Sequence, residues 1–226
     1  MKPTESFPWR SMSLDCVVFG NAPATAFRRT LEGLALHTLS PTPSCTVVTI
    51  EPTLNGDRRY FDALMNRHAA RVVFSRDGLS PASLLNAGAL SSRADLLLLI
   101  AAGTVPLSDD AVESLLTHVL CPDTGAVIGA VRDSLGATHR AALPMLLCRD
   151  TLLSVGGFDE TLPEQGYAEM LLWTLTQRKR RIRVIDRPLF FVPRIKQQPL
   201  PKKNRERLQD LYRFVFGASG QSGRTT

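Results

Sequence analysis

Two charged residues lie where predicted β-strands end. Glu51 closes an apolar run that begins at Cys45, and Arg76 follows the run from Arg71 to Ser75. Open parallel sheets bind ligands beyond the carboxyl ends of their strands, where a carboxylate can accept hydrogen bonds from hydroxyl groups and a guanidinium can bind a phosphate. Asn21 and Ala101–Thr104 lie at the other predicted strand ends and are candidate ligand-binding positions for the same reason.

Several familiar kinds of catalytic site are disfavoured. The histidines lack the short spacings of a metal cluster, and the serines lack the Gly-x-Ser-x-Gly turn of a hydrolase. The chain has neither a P-loop nor a Gly-x-Gly-x-x-Gly after a strand, which argues against kinases and dinucleotide-binding enzymes. The four histidines are His37, His68, His118 and His139.

Strand-like and helix-like patterns alternate along the chain, and these elements must position the charged residues. Short runs rich in Val, Ile and Leu predict buried parallel strands at Asp15–Gly20, Cys45–Glu51, Arg71–Ser75, Asp95–Ala101 and Ala126–Val131. Amphipathic patterns predict helices at Ala24–Leu39, Arg58–Ala70, Ser80–Arg93 and Ser108–Leu120. The alternation indicates an α/β protein with a mostly parallel sheet flanked by helices.

Composition agrees with one globular domain. The chain has 226 residues, of which 44% are hydrophobic and 21% charged. Its longest apolar run, Leu96–Ala102, is far shorter than the ~20 residues of a membrane-spanning helix, and the N-terminus lacks the pattern of a secretory signal. The four cysteines form no Cys-x-x-Cys pair, so free thiols in a reducing, cytoplasmic compartment are predicted.

Two long segments carry recognisable motifs. Residues 76–106 contain a helix pattern with Asn86-x-Gly88, followed by an apolar strand and a proline. Residues 144–182 contain an apolar strand and a short helix, then Gly156-Gly157-Phe158-Asp159-Glu160, Gly166-Tyr167 and an amphipathic helix that ends in basic residues. The glycine pair is also what a helix stop followed by a turn requires.

In this order, the segments resemble a family-2 type glycosyltransferase domain, whose nucleotide-sugar-binding fold is called GT-A. The resemblance covers about residues 13–195. It implies a nucleotide sugar as partner, with substrate-binding positions at Asn86, Asp159 and Glu160. Glu51 falls near the family's acidic contact to the base or ribose, although a solvated carboxylate at a strand end is an equal alternative.

The chain departs from the family at the metal site. The family's Asp-x-Asp falls at Ala101-Ala102-Gly103, and its late histidine falls within residues 187–198, which contain none. Alanine and glycine offer no side-chain oxygen to a divalent cation. We therefore predict no family-type metal site and no divalent metal cofactor.

The family's acidic pair, which supplies the general base of an inverting transferase, reads Ala168-Glu169 here. Glu169 is therefore the candidate for the base that takes the proton of the acceptor hydroxyl. The alternative is a plain first-turn acid, which the helix dipole favours at the start of the predicted helix.

Three functions remain open. The first is a divergent, metal-independent transferase acting on an unknown acceptor, with Arg76 as a candidate charge for the departing phosphate. The second is an inactive relative, a pseudoenzyme that binds a nucleotide sugar or a protein partner. The third is a basic module that contacts the inner face of a membrane, or nucleic acid, through residues 178–213; the lack of interleaved aromatic residues makes nucleic acid the weaker choice.

The positive charge belongs to the C-terminal quarter. The net charge is +6, and residues 178–207 hold twelve Lys and Arg against two acidic residues. Leu208, Leu211, Tyr212 and Val215 share one helical face, which predicts a basic amphipathic helix over 204–216. The predicted organisation is a flexible segment 1–12, a single domain 13–216 and a disordered tail 217–226.

Overall fold

The computed structural model describes residues 11–35, 42–50, 58–75, 80–121, 123–162 and 166–193, with Asp210 and Arg213. Of the predicted N-terminal segment, residues 11 and 12 are described, and Met12 packs against the core. Glu51, Arg76, most of the predicted helix 204–216 and the predicted tail 217–226 lie outside the described residues. No helix in the described ranges is both long and apolar enough to span a bilayer.

The described residues form one sheet of eight strands in the order β3-β2-β1-β4-β7-β6-β8-β5. Strands β1 to β4 pair in parallel, while β7 runs antiparallel to both β4 and β6. The strands in chain order are β1 Leu14–Phe19, β2 Ser44–Ile50, β3 Arg71–Ser75, β4 Leu96–Ala101, β5 Val105–Pro106, β6 Thr124–Arg132, β7 Thr138–Cys148 and β8 Arg181–Phe191.

Because β7 is antiparallel to both of its neighbours, β4 and β6 run in the same direction. Strand β8 is parallel to β6. Six of the eight strands therefore end at one edge of the sheet, which we call the carboxyl edge. The β6–β7 hairpin also projects from this edge. It is the edge at which an open α/β sheet binds ligands.

Helices cover both faces of the sheet. Helices α1, α2 and α4 pack on the face that carries Val18 and Leu98, and α3, α5 and α6 pack on the face that carries Val17 and Leu99. The described helices are α1 Ala24–Ala35, α2 Arg58–Arg67, α3 Pro81–Ser91, α4 Ala111–Val119, α5 Arg149–Ser154 and α6 Tyr167–Gln177. Strands β1, β4 and β6 are buried almost throughout because helices cover them on both sides, and their residues are accordingly mostly apolar on both faces.

The predicted fold class is confirmed. All five predicted strands and all four predicted helices occur, and within the described residues their ends differ by a few positions. Residues 36–39 of the first predicted helix lie outside the described residues. Helix α3 starts as its sequence indicates, since the Ser80 hydroxyl accepts a hydrogen bond from the Ser83 N–H and Pro81 occupies the first helical position. Strand β7 begins with the exposed residues Thr138 and His139 and becomes buried only toward its end, a pattern that wholly apolar runs do not reveal.

Candidate functional site

The starts of two helices meet at the carboxyl edge. Helix α3 follows β3, and α6 leads directly into the beginning of β8, so both helices run against the strands and begin at this edge. The turn after α5, which contains Phe158 and Glu160, lies between them. The two motif segments of the sequence are thereby brought into one cluster.

Asn86 joins α3 to this turn. Its Oδ1 accepts a hydrogen bond from the Phe158 N–H at 2.8 Å, and its Nδ2 donates to the Phe158 carbonyl at 2.9 Å and to Glu160 Oε1 at 2.7 Å. Both N–H donors and the carbonyl of the amide are therefore engaged within the protein. In this arrangement Asn86 positions the turn, and its predicted substrate contact stays a prediction.

The glycines beside Asn86 permit this close approach. Gly156 and Gly157 both have positive φ, at 89° and 79°, as expected where a helix ends in left-handed residues. A Cβ on Gly157 would lie 2.6 Å from Asn86 Oδ1, and a Cβ on Gly88 would lie 2.4 Å from Val17 Cγ1. Gly157 and Gly88 thus permit close packing, whereas a Cβ on Gly156 would meet no atom within 4 Å and this residue serves the helix stop.

Glu160 is held by two side chains of α3. Ser83 Oγ donates to Glu160 Oε2 at 2.8 Å, and the Asn86 amide donates to Oε1. These hydrogen bonds, that of Asn86 first, lower the pKa of the exposed Glu160 carboxyl, which is therefore charged at neutral pH. Sequence reasoning passed over Ser83, although its place three residues after the capping Ser80 marks it as part of the first helical turn.

Asp159 is exposed on the outer side of the same turn. Its Oδ1 accepts hydrogen bonds from the Thr161 N–H at 3.0 Å and from the Thr161 hydroxyl at 2.6 Å. This pattern is an Asx turn, which stabilises the loop locally.

Glu169 lies in the first turn of α6 and is half-buried. Burial raises the pKa of its carboxyl, so the group holds a proton more readily than an exposed glutamate does. Burial also raises the pKa of Tyr167, and the nearby Glu169 adds to that effect. The ring of Tyr167 meets that of Phe158 edge to face at 6.0 Å, so the start of α6 packs against the turn held by Asn86.

The turn after β4, at Ala101–Thr104, is tightly packed. The Gly103 N–H donates to the Ala26 carbonyl at 3.1 Å and to Thr30 Oγ1 at 2.9 Å. Gly103 has φ of 93°, and a Cβ there would lie 3.1 Å from Pro193 Cγ. The turn after β4 therefore contacts both α1 and the residues that follow β8.

The residues at this position do not fit a divalent cation. Such an ion needs several oxygen or nitrogen ligands, and two alanines and a glycine supply no side-chain ligand. Within the described ranges, no group of three His, Cys, Asp or Glu side chains is placed to hold a metal. The predicted lack of a metal cofactor stays a prediction.

The basic C-terminal quarter is partly neutralised by acidic residues from elsewhere in the chain. Arg181 and Arg183 lie 2.7 and 3.6 Å from the carboxylate oxygens of Asp123, and Arg187 pairs with Asp110. Counting charges within residues 178–207 does not reveal these partners, because they lie before β6 and at the start of α4.

Comparisons with known proteins define the fold. No family model and no curated protein sequence matches this chain. Solved structures do match. The mannosyltransferase PcManGT from Pyrobaculum calidifontis, in complex with GDP-Man and Mn²⁺, has a TM-score of 0.61 at 14% identity, over 95% of this chain and 66% of that one.

Staphylococcus aureus TarS, residues 1–349, matches in complex with UDP, with a TM-score of 0.67 at 11% identity, and in complex with UDP-GlcNAc, with a TM-score of 0.63 at 12% identity. Each match covers 90% of this chain and 65% of TarS 1–349. The chain thus spans just under two thirds of the length of these solved chains. This chain therefore has the GT-A fold that these glycosyltransferases share, as the sequence resemblance predicts.

Proposed function

We propose that the chain is a divergent glycosyltransferase, which binds a nucleotide sugar at the carboxyl edge and transfers the sugar to an acceptor without a family-type metal site. The observation that carries the proposal is the half-buried Glu169, with its raised pKa, beside the turn braced by Asn86 at the ligand-binding edge of a GT-A fold. Glycosyltransferases of the same fold are described in complex with GDP-Man and UDP-GlcNAc, which supports a nucleotide sugar as the donor.

In the proposed reaction, the Glu169 carboxylate takes the proton of the acceptor hydroxyl while that oxygen bonds to the anomeric carbon. The bond from the anomeric carbon to the diphosphate breaks, and the nucleoside diphosphate leaves with the electron pair. A base with a pKa raised toward neutrality accepts a proton more effectively than an ordinary carboxylate. A positioned base contributes about 10²–10⁴ in rate.

Isothermal titration with UDP-GlcNAc, GDP-Man and the corresponding diphosphates, with and without Mn²⁺, tests donor binding. We expect binding to at least one of these, without tightening by Mn²⁺. A tenfold tightening by Mn²⁺ would contradict the proposed metal independence, and the absence of any nucleotide binding would contradict the donor.

Replacement of the candidate base tests the chemistry. Glu169→Gln should lower donor hydrolysis, or transfer once an acceptor is known, by about 10²-fold or more while donor binding is retained. Glu113→Gln is the matched control, because Glu113 is the first-turn acid of α4. Like Glu169→Gln, the Glu113→Gln variant loses the interaction of a first-turn carboxylate with the helix dipole, worth about 0.3–1 kcal/mol. Because Glu113 is not the candidate base, this variant should leave turnover unchanged. Equal turnover in wild type and Glu169→Gln would refute the assignment of the base.

A non-catalytic domain that binds a nucleotide sugar or a protein partner is the second candidate. The packed turn at Ala101–Gly103, which lacks side-chain ligands for a metal, favours it. Retained donor binding without hydrolysis or transfer in the wild-type protein would support this reading over the transferase.

The third candidate is contact with a membrane surface through residues 178–213, consistent with a cytoplasmic protein at the inner face of a membrane. Three of the arginines in this range already pair with Asp123 or Asp110, which reduces the charge available to lipid headgroups. We therefore rank membrane contact below the other two functions, and nucleic acid below membrane contact.

A further inference from the structure

A nucleoside diphosphate brings several negative charges to the carboxyl edge. In a domain whose turn at Ala101–Gly103 does not fit a metal ion, protein cations must balance that charge as the leaving group departs. Arg76, the cation that the sequence suggests, lies outside the described residues. A second arginine at the same edge is described.

Arg132 is the last residue of β6, and β6 runs parallel to the strands that end at the carboxyl edge. The side chain of Arg132 is exposed, and its carbonyl accepts a hydrogen bond from the Val192 N–H at 2.9 Å, which fixes the backbone there. Strand β7 alone separates β6 from β4, so the two strands lie about 10 Å apart across the sheet, and the register places Arg132 about two residues beyond the end of β4. An extended arginine side chain and a diphosphate group can together bridge that distance.

The alternation of side chains along β6 places Arg132 on the same face of the sheet as α6. Val131 packs in the core on the side of α1 and α4, opposite Phe190 of β8. Arg132, the next residue, is therefore directed to the other face, the one that α3 and α6 cover. The arginine thus shares both its edge and its face with Glu169.

Other arginines of the mixed half of the sheet have carboxylate partners. Arg140 pairs with Asp186 at 2.7 Å, and the arginines of β8 pair with Asp123 or Asp110. Among the described residues, no ion pair or hydrogen bond engages the Arg132 guanidinium.

Asp133, its neighbour along the chain, is occupied elsewhere. Its Oδ1 accepts the N–H groups of Leu135 and Ala137, each at 2.9 Å, and its Oδ2 lies 2.9 Å from the ring of His139. The carboxylate of Asp133, although next to Arg132 in sequence, is therefore already hydrogen-bonded to Leu135, Ala137 and His139.

We propose that Arg132 binds the diphosphate group of a nucleotide ligand at the carboxyl edge and supplies positive charge there in place of a divalent metal. The inference rests on the proposed function and deepens it, because it names a residue that recognises the leaving group. A guanidinium suits this task, since it is always charged and can donate two parallel hydrogen bonds to phosphate oxygens.

Titration calorimetry in the presence of EDTA tests the proposal. UDP, GDP, ADP and dTDP are compared with their nucleosides, using wild type, Arg132→Gln, Arg132→Lys and the control Arg178→Gln. Arg178 is exposed at the end of α6, at the opposite edge of the sheet. Arg132→Gln should weaken the bound diphosphate about 10–100-fold and leave the nucleoside unaffected. Arg132→Lys should recover part of the loss, and Arg178→Gln should bind as wild type does.

The outcomes separate this proposal from the one on which it rests. If wild type binds a diphosphate and Arg132→Gln binds it equally well, the role of Arg132 is refuted while the proposed function stands. Equal weakening of diphosphate and nucleoside also refutes that role, because it indicates a disturbed base site. A wild-type protein that binds none of the four diphosphates contradicts both proposals. Circular dichroism of each variant checks that the fold is retained.

Discussion

At the scale of single residues, one amide side chain connects segments that lie 72 residues apart. Asn86 satisfies both the N–H and the carbonyl of Phe158, and it holds Glu160 through its second N–H. A buried or half-buried backbone pair needs such partners, because an unsatisfied N–H or carbonyl costs about 1–3 kcal/mol. The motif residues therefore fix the conformation of the turn before α6. Glu169 lies in the first turn of that helix.

A residue-scale prediction concerns Gly103 and uses Gly136 as its control. Both glycines have positive φ, at 93° and 81°, but a Cβ on Gly103 would lie 3.1 Å from Pro193 Cγ, whereas a Cβ on Gly136 would meet no atom within 4 Å. Gly136→Ala should lower the free energy of unfolding by about 1–2 kcal/mol, from the left-handed conformation alone. Gly103→Ala should lower it further, by about 1–3 kcal/mol, because the added methyl group is overpacked.

Urea unfolding of the two variants measures this difference directly. Equal losses of unfolding free energy in the two variants would show that Pro193 moves aside at little cost. The turn after β4 would then accept larger side chains. The expected difference would instead mean that an aspartate placed at position 103, as in the family's Asp-x-Asp motif, would clash with Pro193.

At the scale of elements, an ion pair ties the start of α4 to β8. Arg187 donates to both Asp110 and the hydroxyl of Ser114, and Ser108 donates to Asp110 at 2.6 Å. The hydrogen bond from Arg187, followed by that from Ser108, lowers the pKa of Asp110 to about 2. A carboxylate before the first turn of a helix also interacts favourably with the helix dipole.

The lowered pKa predicts how stability depends on pH. A carboxyl group whose pKa is lower in the folded state stabilises that state above its ordinary value of 3.8, and loses the effect as pH falls toward 2. Wild type should therefore be more stable than Asp110→Asn at pH 7, and the difference should shrink between pH 4 and pH 2. Glu32→Gln is the control, because Glu32 lies 3.9 Å from Arg28 on one exposed helix face and contributes little at any pH.

Urea unfolding at several pH values provides the measurement. A difference between wild type and Asp110→Asn that does not change down to pH 2 would show that the carboxylate charge is unimportant to the contact between α4 and β8.

At the scale of the whole molecule, the sheet has two halves of different character. The half made of β1 to β4 is purely parallel, and its strands are connected by helices, while the other half mixes both directions around the β6–β7 hairpin. The candidate site spans the two halves, since α3 covers the first and α6 the second. Asp123 and Asp110, which neutralise part of the basic C-terminal quarter, both belong to the mixed half.

The predicted helix over 204–216 leads to a prediction at this scale. Because its apolar face is expected to cover the body of the domain, deletion of 204–226 should lower the melting temperature. Deletion of 217–226 alone is the matched control and should leave it unchanged. Vesicle co-sedimentation that is lost in the longer deletion, with the melting temperature retained, would instead favour membrane contact through this segment.

Much of the fold follows from local sequence patterns. The apolar runs that become β1 to β4 are short and bounded by turns, and the helix between β3 and β4 begins with a capping serine and a proline. These patterns are local, because a buried strand and a helix start each depend on a few neighbouring residues. The absence of carboxylates at Ala101–Gly103 is equally a property of the sequence.

Other features depend on which elements become neighbours. The pairing of Asn86 with Phe158 and that of Asp123 with two arginines of β8 join segments far apart along the chain. That the Arg132 guanidinium has no partner among the described residues likewise depends on the tertiary structure. The resemblance to the glycosyltransferase family identified Asn86 and Glu169 as candidates, but not the atoms that they contact. Tertiary structure decided these contacts, since hydrogen bonds and ion pairs act over a few ångströms in space, and packing of the sheet and helices determines which side chains come that close.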